Sequence, residues 1–238
     1  MRPGLVVLAH GTGDAAGRNT WGRLLVRLRA ALPGVEVRLA YAGVARPQLA
    51  DVLPRLAGPV VVVPAFLAAG FHVRVDVPGQ LAAIGRDDVT LAEPLGPDPA
   101  LVDVALARLA QAGGADGRAV VLAAAGSTDL VAQEDLRTAA GVFAERLGTA
   151  VPVGYIAGGA PRVADVVAAQ DRPVALATWL LAPGAFHRWL ADAGAGVVAA
   201  PLGDHDGVVD VVLERYVRCA LVRIGPDAPR AGPPPGEE

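Results

Sequence analysis

The sequence predicts an α/β fold of two similar, doubly wound parallel-sheet domains related by internal duplication and a pseudo-twofold axis. Short apolar runs alternate with stretches whose apolar residues recur at three and four, which is the pattern of βαβ units. The second half then repeats the order of the first, block by block. Hydrophobic residues make up 53% of the 238 positions and charged residues 19%, with a mean hydropathy of +0.42, so the chain carries enough apolar surface for a large core.

The elements follow in order. Strands are expected at 4–9, 35–41, 59–64 and 89–93, as continuous Val/Leu-rich runs bounded by turn residues. Trp21, Leu24, Leu25, Leu28 and Leu32 mark one face of a first helix, and Leu49, Val52, Leu53 and Leu56 one face of a second, with Pro47 in its first turn. From about residue 118 the rhythm restarts, with strands expected at 119–124, 151–157, 173–178 and 196–200. This divides the chain into a first domain at 1–113, a second at 118–225, and a tail at 226–238 that is too rich in proline and glycine to pack and reads as disordered.

The duplication is visible residue by residue. LVVLAHGT (5–12) answers VVLAAAGS (120–127), which sets His10 opposite Ala125. PQLADV (47–52) answers PRVADV (161–166). PAFLAAGFH (64–72) answers TWLLAPGAFH (178–187), which sets His72 opposite His187, and EPLGPDPALVDVALARL (93–109) answers APLGDHDGVVDVVLERY (200–216). Two such sheets packed about a pseudo-twofold leave a cleft between them, and in doubly wound sheets a ligand sits beyond the carboxyl ends of the strands. His10, His72 and Glu93 each follow a strand of the first domain and are expected on that rim.

Composition excludes several classes. A net charge of -3 and a pI near 5.8, with no basic stripe, argue against nucleic acid as a partner. Cys219 is the only cysteine, so neither a disulfide framework nor a thiolate cluster can form within the chain; it reads as a small apolar residue of the last helix. No apolar run is long enough to span a bilayer and the first residues lack a signal-peptide pattern, which gives no membrane partner and a cytoplasmic location as the expectation. HGTGDAAGRN after the first strand fits neither the Walker spacing nor GxGxxG, so no nucleotide or other organic cofactor is expected. Ser127 lacks the GxSxG elbow, and His205 reads as a loop residue at the start of the last helix.

Two histidines at the ends of adjacent strands, in a chain with four, suit a divalent transition metal, because neutral imidazole binds cobalt, iron, nickel and zinc, and two imidazoles leave coordination positions open. AHGT at 9–12, VVVPAFLAAGFHVRVDVP at 61–78 and EPLGPDP at 93–99 together resemble the class II tetrapyrrole chelatases, the CbiX/SirB group that loads sirohydrochlorin with cobalt or iron. Long members of that group carry two fused halves and keep the histidine pair in one of them, as His10 and His72 are kept here. The resemblance implies that these two residues receive Co2+ or Fe2+, with Ni2+ a further option, and pass it into the macrocycle.

The chain departs from the family in two places. Gly43 stands where many members have a glutamate after the second strand, and HGTGD lacks the arginine commonly found after the hydroxyl residue. Since insertion expels two pyrrole protons, Glu93 or Asp14 is expected to take over as base, or else to serve as a strand-end ion pair and a helix N-cap respectively. A polycarboxylated macrocycle calls for cations at the cleft, and Arg74 is the best placed, with Arg46 and Arg18 behind it. Phe66, Phe71, Trp179 and Phe186 are candidates for apolar walls. His187 reads equally as a third ligand or proton shuttle facing the substrate and as a relic of the duplication. The expected activity is insertion of a divalent metal into a sirohydrochlorin-type tetrapyrrole by a monomer with an internal pseudo-dimer, as a sirohydrochlorin metal chelatase; the alternative is a non-catalytic carrier of metal or tetrapyrrole, and a weaker third reading is a two-lobed sugar- or anion-binding protein.

Overall fold

The computed structural model describes residues 2–11, 13–43 and 45–224, the side chains of His72 and of residues 222–224 excepted. In the first half β1 (Gly4–Ala9), β2 (Val37–Tyr41), β3 (Val60–Ala65) and β4 (Val89–Leu91) form a parallel sheet in the order β2-β1-β3-β4. In the second half β5 (Ala119–Ala124), β6 (Val153–Tyr155), β7 (Val174–Trp179) and β8 (Val197–Val198) repeat it as β6-β5-β7-β8. All residues of β1, β3, β5 and β7 are buried, as expected of inner parallel strands covered on both faces.

Helices alternate with these strands: α1 (Ala15–Ala31), α2 (Leu49–Val52), α3 (Val77–Ile84), α4 (Pro99–Gln111), α5 (Leu130–Leu147), α6 (Val163–Ala168), α7 (Ala185–Trp189) and α8 (Asp206–Ile224). Asp14, Asp98 and Asp129 cap α1, α4 and α5, each accepting a 2.9 Å hydrogen bond from the second helical N–H. The apolar face read from the sequence is the buried face of α1, where Trp21, Leu24, Leu25, Leu28 and the C-capping Leu32 meet the sheet. The second helix is shorter than its pattern suggests. Pro54 cannot continue an α-helical hydrogen-bond ladder, and the chain tightens into a 3-10 turn at Leu53–Arg55. Pro47 is not in the first turn but ahead of it, joined to Arg46 by a cis peptide bond. Gln48 is the N-cap, and its N–H is held by the Asp51 carboxylate at 2.8 Å.

The layers show how the halves are joined. One face of each sheet contributes to a single continuous core with α1, α4, α5 and α8 between them, while α2 and α3 cover the outer face of the first sheet and α6 and α7 that of the second. Within the central layer the two closing helices are exchanged: α4, made by the first half, packs on β7, and α8, made by the second, packs on β3. Their arginines mark the exchange. Arg108 of α4 donates to the Leu202 carbonyl at 3.0 Å, and Arg215 of α8 donates to the Pro94 carbonyl at 3.2 Å and to Asp98 at 2.7 Å. The sequence boundary near 113–118 therefore separates the sheets but not the layers. Among the described residues no helix is long and apolar enough to cross a membrane, and the tail at 226–238 lies outside them.

Candidate metal and macrocycle site

In a sheet of order β2-β1-β3-β4 the chain runs outward in opposite directions from β1 and β3, so loops leaving their carboxyl ends diverge and open a crevice. Here that crevice faces its counterpart beyond β5 and β7. Together they form a cleft of about 1020 Å3 between the halves, bordered by His10, Phe66 and Phe71 on one side and by Ala125, Phe186 and His187 on the other.

His10 follows β1 directly and is exposed to the cleft, its ring edge-on to that of Phe66 with centroids 6.1 Å apart. Its carbonyl accepts from the Gly43 N–H at 3.3 Å, so the loop after β2 supports the loop after β1. A Cβ at position 43 would stand 3.1 Å from that carbonyl oxygen. His72 opens a π-helical turn, His72–Asp76, between the cleft-lining Phe71 and Val73; its own side chain lies outside the described set. Such turns bulge the chain locally and occur often at functional positions. The backbone places His10 directly after β1 and His72 in the turn that follows the loop from β3, the hydrogen-bonded neighbour of β1. Among the described residues no group of three or more His, Cys, Asp or Glu forms that could hold a metal.

The second half presents a different surface. Ala125 leaves the position across from His10 without a ligand, and His187 lines the cleft with its Nε2 tied to the Ala199 carbonyl at 3.1 Å. That carbonyl is an acceptor only, so Nε2 carries the hydrogen and the lone pair of the neutral ring is on Nδ1. Phe71 is 56% exposed at the mouth, whereas Trp179 is buried beneath the cleft, its indole N–H directed at the Leu67 carbonyl at 3.4 Å.

Ion pairs cross between the halves. Arg74 donates from Nη2 to both oxygens of Asp129, at 2.9 and 3.2 Å, and Arg188 pairs with Asp14. The guanidinium of Arg188 and the helix N–H of Ala16 hold the Asp14 carboxyl below its ordinary value, and Arg74 and the Val131 N–H do the same for Asp129.

Several expected site residues are placed elsewhere. Glu93 is not brought to the cleft: its side chain is 72% exposed and lies 3.3 Å from Arg218 of α8, the strand-end ion pair that was the second of its two expected roles. Asp14 does line the cleft, but as an ion-paired helix cap. Arg46 is engaged by Asp51 at 2.6 Å, and Arg18 donates to the Gly13 carbonyl at 2.6 Å beside a separate surface hollow. Arg188 and Asp129 were not singled out by the sequence reading. Their signal is present in the duplication, since HGTGD and AGSTD both end in aspartate and both FH segments are followed within two residues by arginine. His205 caps the start of α8 by accepting from the Gly207 N–H at 3.2 Å, and burial there pushes its pKa down.

Paired four-stranded parallel sheets sharing a helical layer, with the cleft at their strand ends, define a tandem α/β fold of the chelatase type. Residues 4–112, the first of the two sheets with its helices, match the CbiX family model. Among solved structures, SirB from Bacillus subtilis with Fe3+ superposes with a TM-score of 0.78 at 18% identity, covering 95% of this chain and 98% of that one. The complex of the sirohydrochlorin chelatase SirB from Bacillus subtilis subspecies spizizenii with cobalt gives 0.76 at 18% identity over the same shares. CbiX, described as the terminal enzyme of siroheme biosynthesis in denitrifying bacteria, gives 0.70 at 27% identity, covering 91% of this chain and 99% of that one. No curated protein sequence matches the chain.

Proposed function

We propose that the protein is a sirohydrochlorin metal chelatase that inserts a divalent ion, Co2+ or Fe2+, into a sirohydrochlorin-type tetrapyrrole bound in the cleft. The observation that carries this reading is the joining, in one cleft of about 1020 Å3, of an exposed imidazole at His10 with apolar walls from both halves. The CbiX match over residues 4–112 and the likeness to SirB and CbiX support it.

Neutral His10 and His72 take the ion as substrate and leave positions open for pyrrole nitrogens. The ion enters the ring and two pyrrole protons leave, so the charge of the ring is unchanged. Asp14, held ionised by Arg188, is a weak base, and Glu93 faces away from the cleft; water is the acceptor that remains. Phe66 and Phe186 line the cleft with aromatic surface that excludes solvent from a flat macrocycle, and the buried Trp179 supports its floor. Residues from both halves build this cleft, so a monomer with its internal pseudo-dimer has a complete site, and cytoplasmic tetrapyrrole synthesis is its setting.

The test is the visible spectrum of the protein with sirohydrochlorin and Co2+ or Fe2+ under anaerobic conditions, followed against a protein-free control. Metallation over many turnovers, lost in His10→Ala, is expected. His10→Ala metallating at the wild-type rate would refute the role of that residue. Gly43 favours a second reading, a stoichiometric carrier, and a spectrum that shifts on mixing without turnover would select it.

A further inference from the structure

The two ion pairs across the cleft are related by the pseudo-twofold. Arg74 follows β3 and reaches Asp129 at the head of α5; Arg188 follows β7 and reaches Asp14 at the head of α1. Each half lends one arginine and one aspartate to the other. Neither aspartate needs its arginine to cap its helix, since both already accept a helix N–H at 2.9 Å. The arginines are 46% and 64% exposed, and ion pairs in such positions contribute little to folding. The duplication nevertheless kept the pair in both halves, while it kept His10 in only one. Exposed apolar side chains sit beside the pairs: Phe71 and Val75 around Arg74, Leu130 and Val131 next to Asp129, and Trp189 next to Arg188.

We propose that Asp14 and Asp129 stand in for the carboxylates of the ligand: the two ion pairs latch the empty cleft, and a polycarboxylated macrocycle enters by exchanging its own carboxylates onto Arg74 and Arg188. The inference rests on the tetrapyrrole reading above. Replacing one carboxylate by another keeps the charge-assisted hydrogen bonds of each guanidinium, so the latch opens without a net loss of pairing. A ring without carboxylates offers no such replacement, which makes Arg74 and Arg188 determinants of specificity as well as of entry.

The experiment compares wild type, Asp14→Asn/Asp129→Asn and Arg74→Gln/Arg188→Gln. Asparagine retains the capping acceptor, so the first variant removes charge and leaves the helices capped. Amide hydrogen exchange of the ligand-free proteins is read over 70–77 and 184–189, and binding is read by fluorescence with an octacarboxylate porphyrin and with a tetracationic pyridinium porphyrin. The aspartate variant is expected to exchange faster in both segments and to bind the octacarboxylate roughly threefold to tenfold more tightly, because the latch no longer competes. The arginine variant is expected to lose roughly tenfold or more for the octacarboxylate, as two charged contacts to the ligand are removed, and nothing for the cationic ring. Unchanged exchange in the aspartate variant overturns the latch. Equal octacarboxylate binding by the arginine variant and wild type overturns the anchoring role. Wild-type protein that takes up neither ring overturns the tetrapyrrole reading and the exchange step with it, while the amide exchange rates still report on the latch by themselves.

Discussion

Tyr216 of α8 donates its phenolic hydrogen to the carbonyl oxygen of Pro3 at 2.6 Å, tying the final described helix to the entry of β1. The side chain is 2% exposed, so this bond is made in a nearly dry environment where an unpaired carbonyl is costly.

Tyr216→Phe removes that bond and keeps the ring. A loss of about 1–2 kcal/mol is expected. The melting temperature should fall by roughly 2–8 °C in a thermal scan. Chelation by the folded variant should be unaffected, because Pro3 and Tyr216 lie away from the cleft.

Arg215 is the more demanding test of the helix exchange. It is 8% exposed and holds both Asp98 and the Pro94 carbonyl, so Arg215→Met leaves a partly buried carboxylate without its cation. Destabilisation of about 2–4 kcal/mol is expected, read as a lower denaturant midpoint at unchanged slope. Asp98→Asn should cost less, since the amide oxygen still caps α4 through the Ala100 N–H.

Acid should reach the two cleft carboxyls late. The carboxyls of Asp14 and Asp129 are held below the ordinary value of 3.8 by Arg188 and Arg74, so the folded state binds their protons less readily than the unfolded chain. Their contribution is complete above that value and is lost as pH falls through the lowered folded values. Carboxyl carbon shifts in an NMR titration should show both groups titrating late, and the dependence of unfolding free energy on pH below about 4 should flatten in Asp14→Asn/Asp129→Asn.

Gly43→Glu returns a carboxylate to the position where the resemblance to the chelatases leads one to expect it. The new Cβ would meet the His10 carbonyl at 3.1 Å, so the loop must give by a few tenths of an ångström, and Gly43 has no positive φ to penalise the change. A positioned base beside His10 should raise metallation by roughly tenfold or more, measured as initial rate at fixed Co2+.

Much of this fold is written in local pattern. Gly4–Ala9 and Ala119–Ala124 match their expected ranges because each is a continuous apolar run closed by a polar loop, and the repeat of AHGT by AAGS located both strand ends. Shorter strands were read too long: Val151 is buried ahead of β6 without being part of it, and Ile156, whose N–H still donates to the Ala124 carbonyl at 2.8 Å, lies just past its end. Apolar character reports burial, and burial does not require pairing. The crossing of α4 and α8 left no mark in either helix, because an amphipathic face specifies that it will be covered and not by which sheet. Glu93 meets the same limit: strand order put it at the rim and left two roles open, and the ion pair with Arg218 answers to the second of them through a helix that the strand pattern does not name. Arg74 was recognised as a cation at the cleft, but its partner Asp129 is fixed only when the halves meet.

The exchange also bears on how the chain is made. The face of β3 turned toward the central layer is covered by α8, whose residues 206–224 leave the ribosome after the whole of the second sheet. The first half therefore emerges with a complete set of strands and with α1 on the inner face of its sheet, while the part of that face over β3 waits for α8. Until β7 has also emerged, α4, its own closing helix, has the sheet of its own half to rest on. A transient docking of α4 on β3, later surrendered to α8 as α4 moves to β7, would make synthesis of this protein a handover between helices.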